Sequence, residues 1–421
     1  MKAAILNQCS TNKGDRAVLY AVLRELSRNG YNQVTVSTSS PQYWQVWPDF
    51  PDGMDISLVP WGFGRPRKKE AGFLAKVFYR IKFMFAKFVC FHLVRNAFLK
   101  GKSSWHTRFL CNKDFLKALK DADVVVSTGG HHITTIIAKS MVTAQVFDMM
   151  LAFIYNKPLL LWSQSIGTFD FKHLKDKLMV HKILSQAKCI FIRDTASEEQ
   201  IRLMGVSLEH VKKTYESVFS LFDVVENHVK PSEREKIMGL SVWTGNKQDP
   251  RLRQAYIDCL SGLVNHAINS GYKVRFFPME MEGYDKPYLK EIADNAGKKD
   301  ACEIIDYWPT TREHLKLISQ CRMFVGHKTH SVVFSLTAGT PLIAIAYHKK
   351  TNDFMVQFGL EQNCIDDSRI TVEKLVKMFD EVNANLDAIS QRELKGAYNM
   401  SLKVQDDFKA MLNSVNKQGN I

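Results

Sequence analysis

The sequence lacks paired cysteines and long apolar runs, and each absence excludes a class of protein. Its eight cysteines stand apart, with no Cys-x-x-Cys spacing. This argues against a zinc site or a disulfide framework and favours reduced thiols in the cell interior. Near its start the chain has an apolar run of only four residues, 3–6, before a polar loop, fewer than the roughly 7–15 of a secretory signal. Basic residues interrupt segment 73–99, unlike a membrane span. The sequence therefore predicts a cytoplasmic protein.

Acidic residues are fewer than basic ones, and the imbalance is local. The 421 residues carry 57 Lys and Arg against 43 Asp and Glu, a net charge of +14, with 45% hydrophobic residues. Such a composition is typical of a globular chain with a full core and two or three domains. Segment 65–102 contains eleven basic residues and one acid, so it supplies +10 of that charge.

Strand and helix patterns alternate along both halves of the chain. Short apolar, β-branched runs predict strands, and apolar residues at i, i+4 spacing predict the helices between them. This alternation indicates an α/β fold with parallel sheets covered on both faces. We expect two doubly wound, Rossmann-like domains facing a cleft, as in glycosyltransferase-B enzymes. They are predicted at 1–228 and 229–421, with the polar segment 226–236 as linker. Ligands of such sheets bind at the carboxyl ends of strands.

The loop Asn12-Lys13-Gly14-Asp15 lies between the first strand and the first helix. Gly14 allows close backbone approach, and Asp15 can cap the helix or accept a proton from a substrate hydroxyl. A simple N-cap turn and an anion-binding helix start both fit this pattern.

Three further polar segments follow strands in the first half. Gly129-Gly130-His131-His132 reads as a polar loop lining a site, since a metal would need ligands beyond the two histidines. Gln164-Ser165-Ile166-Gly167 follows a strand predicted at 158–162. Arg193-Asp194 follows another strand and is either a local ion pair at a helix start or part of a site.

The second half holds the most informative segment. Lys328 and His330 follow a predicted strand at a helix N-terminus, which suits an anion. The unperturbed pKa of histidine is about 6.5, so His330 can donate a proton near neutral pH. Lys350 lies in a basic loop one strand further on. A helix-capping loop with solvated lysines is the structural alternative.

Taken in order, these motifs resemble those of the polysaccharide pyruvyl transferase family. The resemblance covers about residues 1–365 and uses a set of six short elements. They are Asn12-x-Gly14-Asp15, Gly129-Gly130, Ser165-x-Gly167, Arg193-Asp194-x-x-Ser197, Lys328-x-His330 and Gly339-x-Pro341 with Tyr347-x-x-Lys350.

The resemblance implies transfer of a pyruvyl group from phosphoenolpyruvate to two hydroxyls of a sugar. The product is a cyclic ketal, phosphate is released, and no cofactor or metal is required. Lys328, Lys350 and Arg193 then correspond to donor-binding cations, and His330 to the acid. Asp15 is expected to assist with a hydroxyl proton.

The resemblance also implies a set of residues that bind the acceptor sugar. The acceptor side would comprise seven positions of the first half: Asn12, Gly14, Gly129, Gly130, His131, His132 and Ser165.

The sequence departs from the family pattern at three places. Lys328 stands where the family has Arg, so a bidentate fork becomes a point charge. The third glycine of a Gly-Gly-Gly element is absent, and Glu216-Ser217 replaces an Asp-Pro.

Segment 73–99 is predicted to be a basic amphipathic helix. Such a helix suits the anionic membrane surface that a lipid-linked acceptor would occupy, so we expect peripheral binding on the cytoplasmic face. Burial of its apolar face in the N-terminal domain is the alternative.

Two other functions fit the sequence. A nucleotide-sugar glycosyltransferase is one alternative. A basic nucleic-acid-binding protein is another, although no nucleic-acid module accompanies the charge.

Overall fold

The computed structural model describes residues 1–8, 11–39, 41–63, 73–102, 107–136, 143–245, 249–280 and 283–416. The chain forms two compact units. The first comprises Met1–Ser10, Val18–Ser217 and Lys403–Ile421, and the second Thr11–Ala17 and Val218–Leu402. The segment 226–236, predicted as the linker, therefore belongs to the second unit, where Arg234 donates to the carbonyl of Cys321.

The first unit is built on a parallel sheet, in which the described residues form eight strands. Its order is β3-β2-β1-β4-β6-β7-β8, with β5 paired to β6. The strands are β1 (Lys2–Gln8), β2 (Gln33–Thr38), β3 (Asp55–Pro60), β4 (Val124–Ser127), β5 (Gly130–Ile133), β6 (Leu159–Ile166), β7 (Cys189–Ile192) and β8 (Val211–Lys213).

Helices cover both faces of this sheet, because parallel strands need crossover connections. They are α1 (Lys13–Arg28), α2 (Pro41–Val46), α3 (Phe73–Leu99), α4 (Thr107–Leu110), α5 (Lys113–Asp121), α6 (Ala144–Ile154), α7 (Leu174–Gln186) and α8 (Thr195–Leu203). Alternate strand residues enter separate cores: Val125 belongs to one apolar cluster, whereas Val124 and Val126 belong to another. This two-sided burial explains why the central strands are continuously apolar.

The second unit repeats this plan with a parallel sheet of order β11-β10-β9-β12-β13-β14. Its strands are β9 (Ile237–Leu240), β10 (Lys273–Phe276), β11 (Cys302–Ile304), β12 (Met323–Gly326), β13 (Leu342–Ala346) and β14 (Cys364–Asp366). Its helices, with the C-terminal α15 continuing into the first unit, are α9 (Pro250–Asn269), α10 (Asp285–Asn295), α11 (Thr311–Ser319), α12 (Thr329–Ala338), α13 (Lys349–Gln357), α14 (Val372–Ala384) and α15 (Leu386–Asn416).

Three local predictions were wrong. His131 and His132 lie in strand β5 rather than in a loop, because Gly130–Ile133 pairs with β6. Ser165 lies inside β6, which continues to Ile166 instead of ending at 162. Lys350 is in the first turn of helix α13 and not in a basic loop.

Helix α3 exposes an apolar stripe, defined here as Ile81, Met84, Phe85 and Phe88. Their exposed fractions are 65%, 60%, 71% and 53%, and their i, i+3, i+4, i+7 spacing places them on one face. Lys87 instead packs 4.8 Å from the ring centroid of Phe63, and burial lowers its pKa. The helical periodicity also predicts Leu74 and Phe78 on the apolar face and Lys76 and Arg80 on the basic one, but these four lie outside the described side chains. Among the described helices, none is long and apolar enough to cross a bilayer.

Candidate active site

Helix α1 begins with a side-chain cap supplied by Asn12. Its Oδ1 accepts from the backbone N–H groups of Gly14 and Asp15 at 2.8 and 3.2 Å. Its Nδ2 donates to Glu280 Oε1 at 2.6 Å, and the two residues form an isolated antiparallel bridge. The predicted N-cap turn is therefore present, but Asn12 is its cap, and the prediction of Asp15 as the cap was wrong because Asp15 lies in the first turn of α1. The same side chain ties the start of α1 to the end of β10.

Lys328 is enclosed by carboxylates. Its Nζ donates to Glu280 Oε1 at 3.0 Å and to both carboxylate oxygens of Asp285 at 3.0–3.1 Å. The Lys328 side chain is 12% exposed and that of Asp285 is fully buried. Asp285 also accepts from the backbone N–H of Met279 at 2.8 Å. The ammonium of Lys328 thus neutralises carboxylates within the protein and fixes the loop before α12.

His330 lies half-buried in the first turn of α12 and packs against the backbone of Gly14. A Cβ placed on Gly14 would come within 2.1 Å of His330 Cγ. Only glycine leaves room for the imidazole at this position. Two predicted positions that are distant in sequence therefore lie in direct contact. We call Asn12, Gly14, Glu280, Asp285, Lys328 and His330 the histidine cluster.

Two helices of the second unit begin near these residues without a side-chain cap. Lys328 is the N-cap of α12 and His348 is the N-cap of α13, and neither side chain makes a capping hydrogen bond. Lys350 lies in the first turn of α13, half-buried. Helix N-termini favour anions because their first N–H groups and the helix dipole point outward. The starts of α12 and α13 therefore supply backbone N–H groups suited to an anion, while the charge of Lys328 is already balanced by Glu280 and Asp285.

The first unit contains a second polar cluster, which we call the arginine cluster: Ser165, Arg193, Asp194, Ser197 and Glu216. Arg193 forms a buried ion pair with Glu216 and donates from Nε to Ser165 Oγ at 3.0 Å. Ser165 Oγ donates to Asp194 Oδ2 at 2.7 Å.

Asp194 in turn organises the start of α8. Its Oδ1 accepts from the N–H and Oγ of Ser197 at 2.8 and 2.6 Å. Ser197 Oγ accepts from the backbone N–H of Ile166 at 2.7 Å. The local ion pair considered for Arg193-Asp194 is thus replaced by a pair between Arg193 and Glu216, while Asp194 is the helix cap.

The glycine-histidine segment packs on its own backbone. His131 Nε2 bonds the carbonyl of Gly167. The ring of His132 folds over Gly130, where an added Cβ would lie 2.2 Å from His132 Nε2. Gly129 approaches the carbonyl of Ser163. Within the ranges that the structure describes, no three His, Cys, Asp or Glu side chains converge as a metal site requires.

Several functional residues escaped the motif search. Glu280 and Asp285, the partners of Lys328, come after strand β10. Glu216, the partner of Arg193, follows β8 and was noted only as a departure from the family pattern. For Glu280 and Glu216 the available signal was a polar residue in the loop after a strand, because the carboxyl ends of parallel strands share one edge. Asp285 is the first residue of α10 and gave no such signal.

Comparison with solved structures supports the predicted fold. The UDP-GlcNAc 2-epimerase from Neisseria meningitidis bound to UDP-GlcNAc matches with a TM-score of 0.58 and 10% identity, covering 99% of this chain and all of that one. Anabaena Alr3699/HepE in complex with UDP and glucose matches with a TM-score of 0.55 and 12% identity, over 98% and 99% of the two chains. A UDP-glucose:anthocyanidin 3-O-glucosyltransferase matches with a TM-score of 0.54 and 10% identity, over 99% of each. The two parallel-sheet α/β units thus have the glycosyltransferase-B-like fold that the sequence predicts.

Sequence comparison identifies the family. The amylovoran biosynthesis protein AmsJ of Erwinia amylovora is 21% identical over 406 residues, which cover 92% of each chain. The family model for polysaccharide pyruvyl transferase matches residues 12–349, from the cap of α1 to the first residue of α13. That span includes every residue of the two clusters, and the chain belongs to the polysaccharide pyruvyl transferase family.

Proposed function

We propose that the protein transfers a pyruvyl group from phosphoenolpyruvate to two hydroxyls of one sugar in an exopolysaccharide precursor. The observation that carries this proposal is the placement of His330, an imidazole in the first turn of α12 set against Gly14. Membership in the pyruvyl transferase family and the likeness to an amylovoran biosynthesis protein support it.

The proposed chemistry assigns the proton to His330. Protonation of the methylene carbon of phosphoenolpyruvate by the imidazolium makes C2 electrophilic, and a first sugar hydroxyl adds there. The second hydroxyl then displaces phosphate and closes the ketal ring. A donor of up to three negative charges is stabilised by cations and helix N-termini, and we assign Lys350 and the α12 terminus to this task. Asp15 is the candidate acceptor of a hydroxyl proton.

Lys328 has a different part in this proposal from the one the motif alone indicates. Its ammonium already has two carboxylate partners, so direct donor binding would require it to leave them. We therefore assign it to holding the loop that presents His330. Arg193 as a donor-binding cation, and the acceptor role of the glycine-histidine segment, stay predictions.

Product analysis tests the function. The protein is incubated with phosphoenolpyruvate and a panel of lipid-linked glycans, and the glycans are examined by mass spectrometry while phosphate is measured. We expect one ketal per phosphate released. Consumption of a UDP-sugar with no use of phosphoenolpyruvate would instead establish the glycosyltransferase alternative.

The apolar stripe of α3 supports peripheral membrane binding at the same time. Four large apolar side chains face solvent, although burial in the first unit was the competing interpretation. The surrounding segment 65–102 carries a net charge of +10, which complements anionic lipid headgroups. Apolar insertion and electrostatic attraction together are what a surface-bound helix requires.

Vesicle sedimentation tests this docking surface. We expect the protein to pellet with phosphatidylglycerol vesicles and not with zwitterionic ones, and Phe85→Ser with Ile81→Ser to abolish pelleting. Leu252→Ser is the matched control, because Leu252 is also exposed, at 58%, but lies on α9. Equal pelleting of the control and the stripe variant would contradict membrane docking. Preferential, salt-sensitive binding to oligonucleotides would favour the nucleic-acid alternative.

A further inference from the structure

Three aromatic side chains gather at the carboxyl ends of β9 and β13 in the second unit. The rings of Trp243 and Tyr347 stack with centroids 4.0 Å apart and 20° between their planes. The ring of His348 lies 4.1 Å from that of Tyr347. Trp243 and Tyr347 are half-buried and His348 is exposed. We call these three residues the ring platform, and the chemistry proposed above uses none of them.

Buried polar side chains contact the ring platform from the interior of the second unit. The backbone N–H of Trp243 donates to the hydroxyl of Tyr256 at 3.3 Å. That hydroxyl lies 2.6 Å from His327 Nδ1, and His327 Nε2 lies 3.3 Å from Asp367 Oδ1. Tyr256 and His327 are both buried. The rings are therefore held in place before any ligand arrives, which lowers the entropic cost of binding.

The polar rim of the platform reaches the helix that carries His330. Thr329 Oγ1 lies 3.4 Å from the hydroxyl of Tyr347 and 3.2 Å from His348 Nε2. Thr329 is the first residue of α12, directly before His330. The stack therefore presents aromatic carbon with hydroxyl and imidazole groups at its edge, which suits a pyranose ring, whose C–H face is apolar and whose rim carries hydroxyls.

We propose that the ring platform binds a pyranose ring of the acceptor saccharide and so presents its hydroxyls beside His330. This inference rests on the proposed function and adds the subsite that the acceptor would occupy. A nucleobase could also stack on such rings, but the proposed reaction consumes no nucleotide, whereas every turnover needs a sugar.

Saturation-transfer NMR without phosphoenolpyruvate tests the platform separately from catalysis. The probe is methyl β-D-galactopyranoside, and we expect its ring protons to receive saturation from the wild-type protein. Trp243→Ala should lose the effect and Trp243→Phe should keep it, because phenylalanine retains an aromatic face. Trp47→Ala, which removes a 38% exposed tryptophan directly after α2 in the first unit, is the matched control. Circular dichroism shows whether each variant is folded.

Kinetics give the second measurement. For Trp243→Ala we expect the KM for the acceptor to rise about 10-fold, the range of one aromatic contact, with the KM for phosphoenolpyruvate unchanged. Equal saturation transfer to wild type and a folded Trp243→Ala, or displacement of the sugar by uridine, would overturn the platform as a sugar subsite. Sugar binding without any use of phosphoenolpyruvate would leave the platform standing and remove the proposed function. Ketal formation without saturation transfer to the sugar would support the proposed function and overturn the platform as a sugar subsite.

Discussion

The arginine cluster and the histidine cluster use similar residues for different ends. In the arginine cluster, Arg193 is paired with Glu216, and Asp194 caps α8. The ion pair and hydrogen bonds of this cluster join strand ends and the start of α8 to one another, so the cluster fixes the carboxyl edge of the first sheet. In the histidine cluster, Lys328 is likewise paired with two carboxylates, but the network adjoins a half-buried imidazole.

This comparison shows that a cation in a motif can already be paired with carboxylates of the protein itself. Arg193 and Lys328 both follow strands, and both were assigned to an anionic donor on that ground. Their side chains are 11% and 12% exposed, and each is bonded to carboxylates of the same unit. In the proposed function the reacting group of the histidine cluster is His330, and the ion pairs hold the loop that carries it.

Replacing His330 should have the largest effect on activity. We expect His330→Ala to lower ketal formation by about 10³-fold, because general acid catalysis contributes roughly 10²–10⁴-fold. Phosphate release and ketal mass are measured, with circular dichroism to verify folding. His266→Ala is the matched control, since His266 also lies in the second unit but bonds Asp380 on its surface. Full phosphate release by folded His330→Ala would remove His330 from the mechanism.

Breaking the ion pair of Lys328 should have the next largest effect, on stability. Lys328→Met leaves buried Asp285 without its cation, which typically costs about 3–5 kcal/mol of unfolding free energy. Urea unfolding measures the loss, and adding Asp285→Asn should restore most of it. In the first unit, Arg193→Met should likewise lower the unfolding free energy, and adding Glu216→Gln should restore most of it.

The double variant also separates two roles for Lys328. If Lys328 only positions the His330 loop, Lys328→Met with Asp285→Asn should keep the wild-type KM for phosphoenolpyruvate. If the KM of this double variant for phosphoenolpyruvate rises 10-fold or more, which corresponds to about 1.4 kcal/mol, the lysine binds the donor directly.

Glycine replacements sharpen the same comparison. Gly14→Ala places a methyl group against the His330 ring, and we expect kcat to fall by about 10–100-fold because misplaced catalytic groups are costly. Gly129→Ala in the first unit meets the Ser163 carbonyl at 3.0 Å and should lower the thermal midpoint with a smaller change in kcat. Steady-state kinetics and thermal unfolding of both variants supply the comparison. Equal loss of kcat in both would mean that Gly14 has no special relation to His330.

Much of the fold was predictable because its signals are local. The limits of α7 and β7, Leu174–Gln186 and Cys189–Ile192, are those that the sequence predicts. Strand β5 was missed because Gly-His-His has little strand propensity and pairs only with β6. Helix α13 was missed because Lys349-Lys350 reads as a solvated turn.

The position of the site was predictable from the sequence, but the contacts of its side chains were not. Strand ends located His330 and Lys328, because parallel sheets bring those ends to one edge. Their partners depend on tertiary folding: Glu280 and Asp285 lie more than forty residues earlier in the sequence. The contact between Gly14 and His330 spans most of the chain, and no local pattern encodes it.

A buried carboxylate that accepts from neutral groups offers the smallest and most specific test. Asp148 on α6 is buried and accepts from the N–H of Gly62 at 2.9 Å and from Ser37 Oγ at 3.1 Å. Burial raises its pKa to about 8.

Because the folded-state pKa of Asp148 is above its unfolded value, the folded state retains a proton that the unfolded state has lost between about pH 4 and pH 8. The contribution of Asp148 to stability therefore falls as the pH rises through that window. Asp148→Asn keeps both hydrogen bonds without a titrating proton, since the Ser37 hydroxyl can also accept. We expect its thermal midpoint to exceed that of the wild type by a few degrees more at pH 8 than at pH 6, with catalysis unchanged. A midpoint difference that stays constant over this range would mean that Asp148 does not hold a proton in the folded protein.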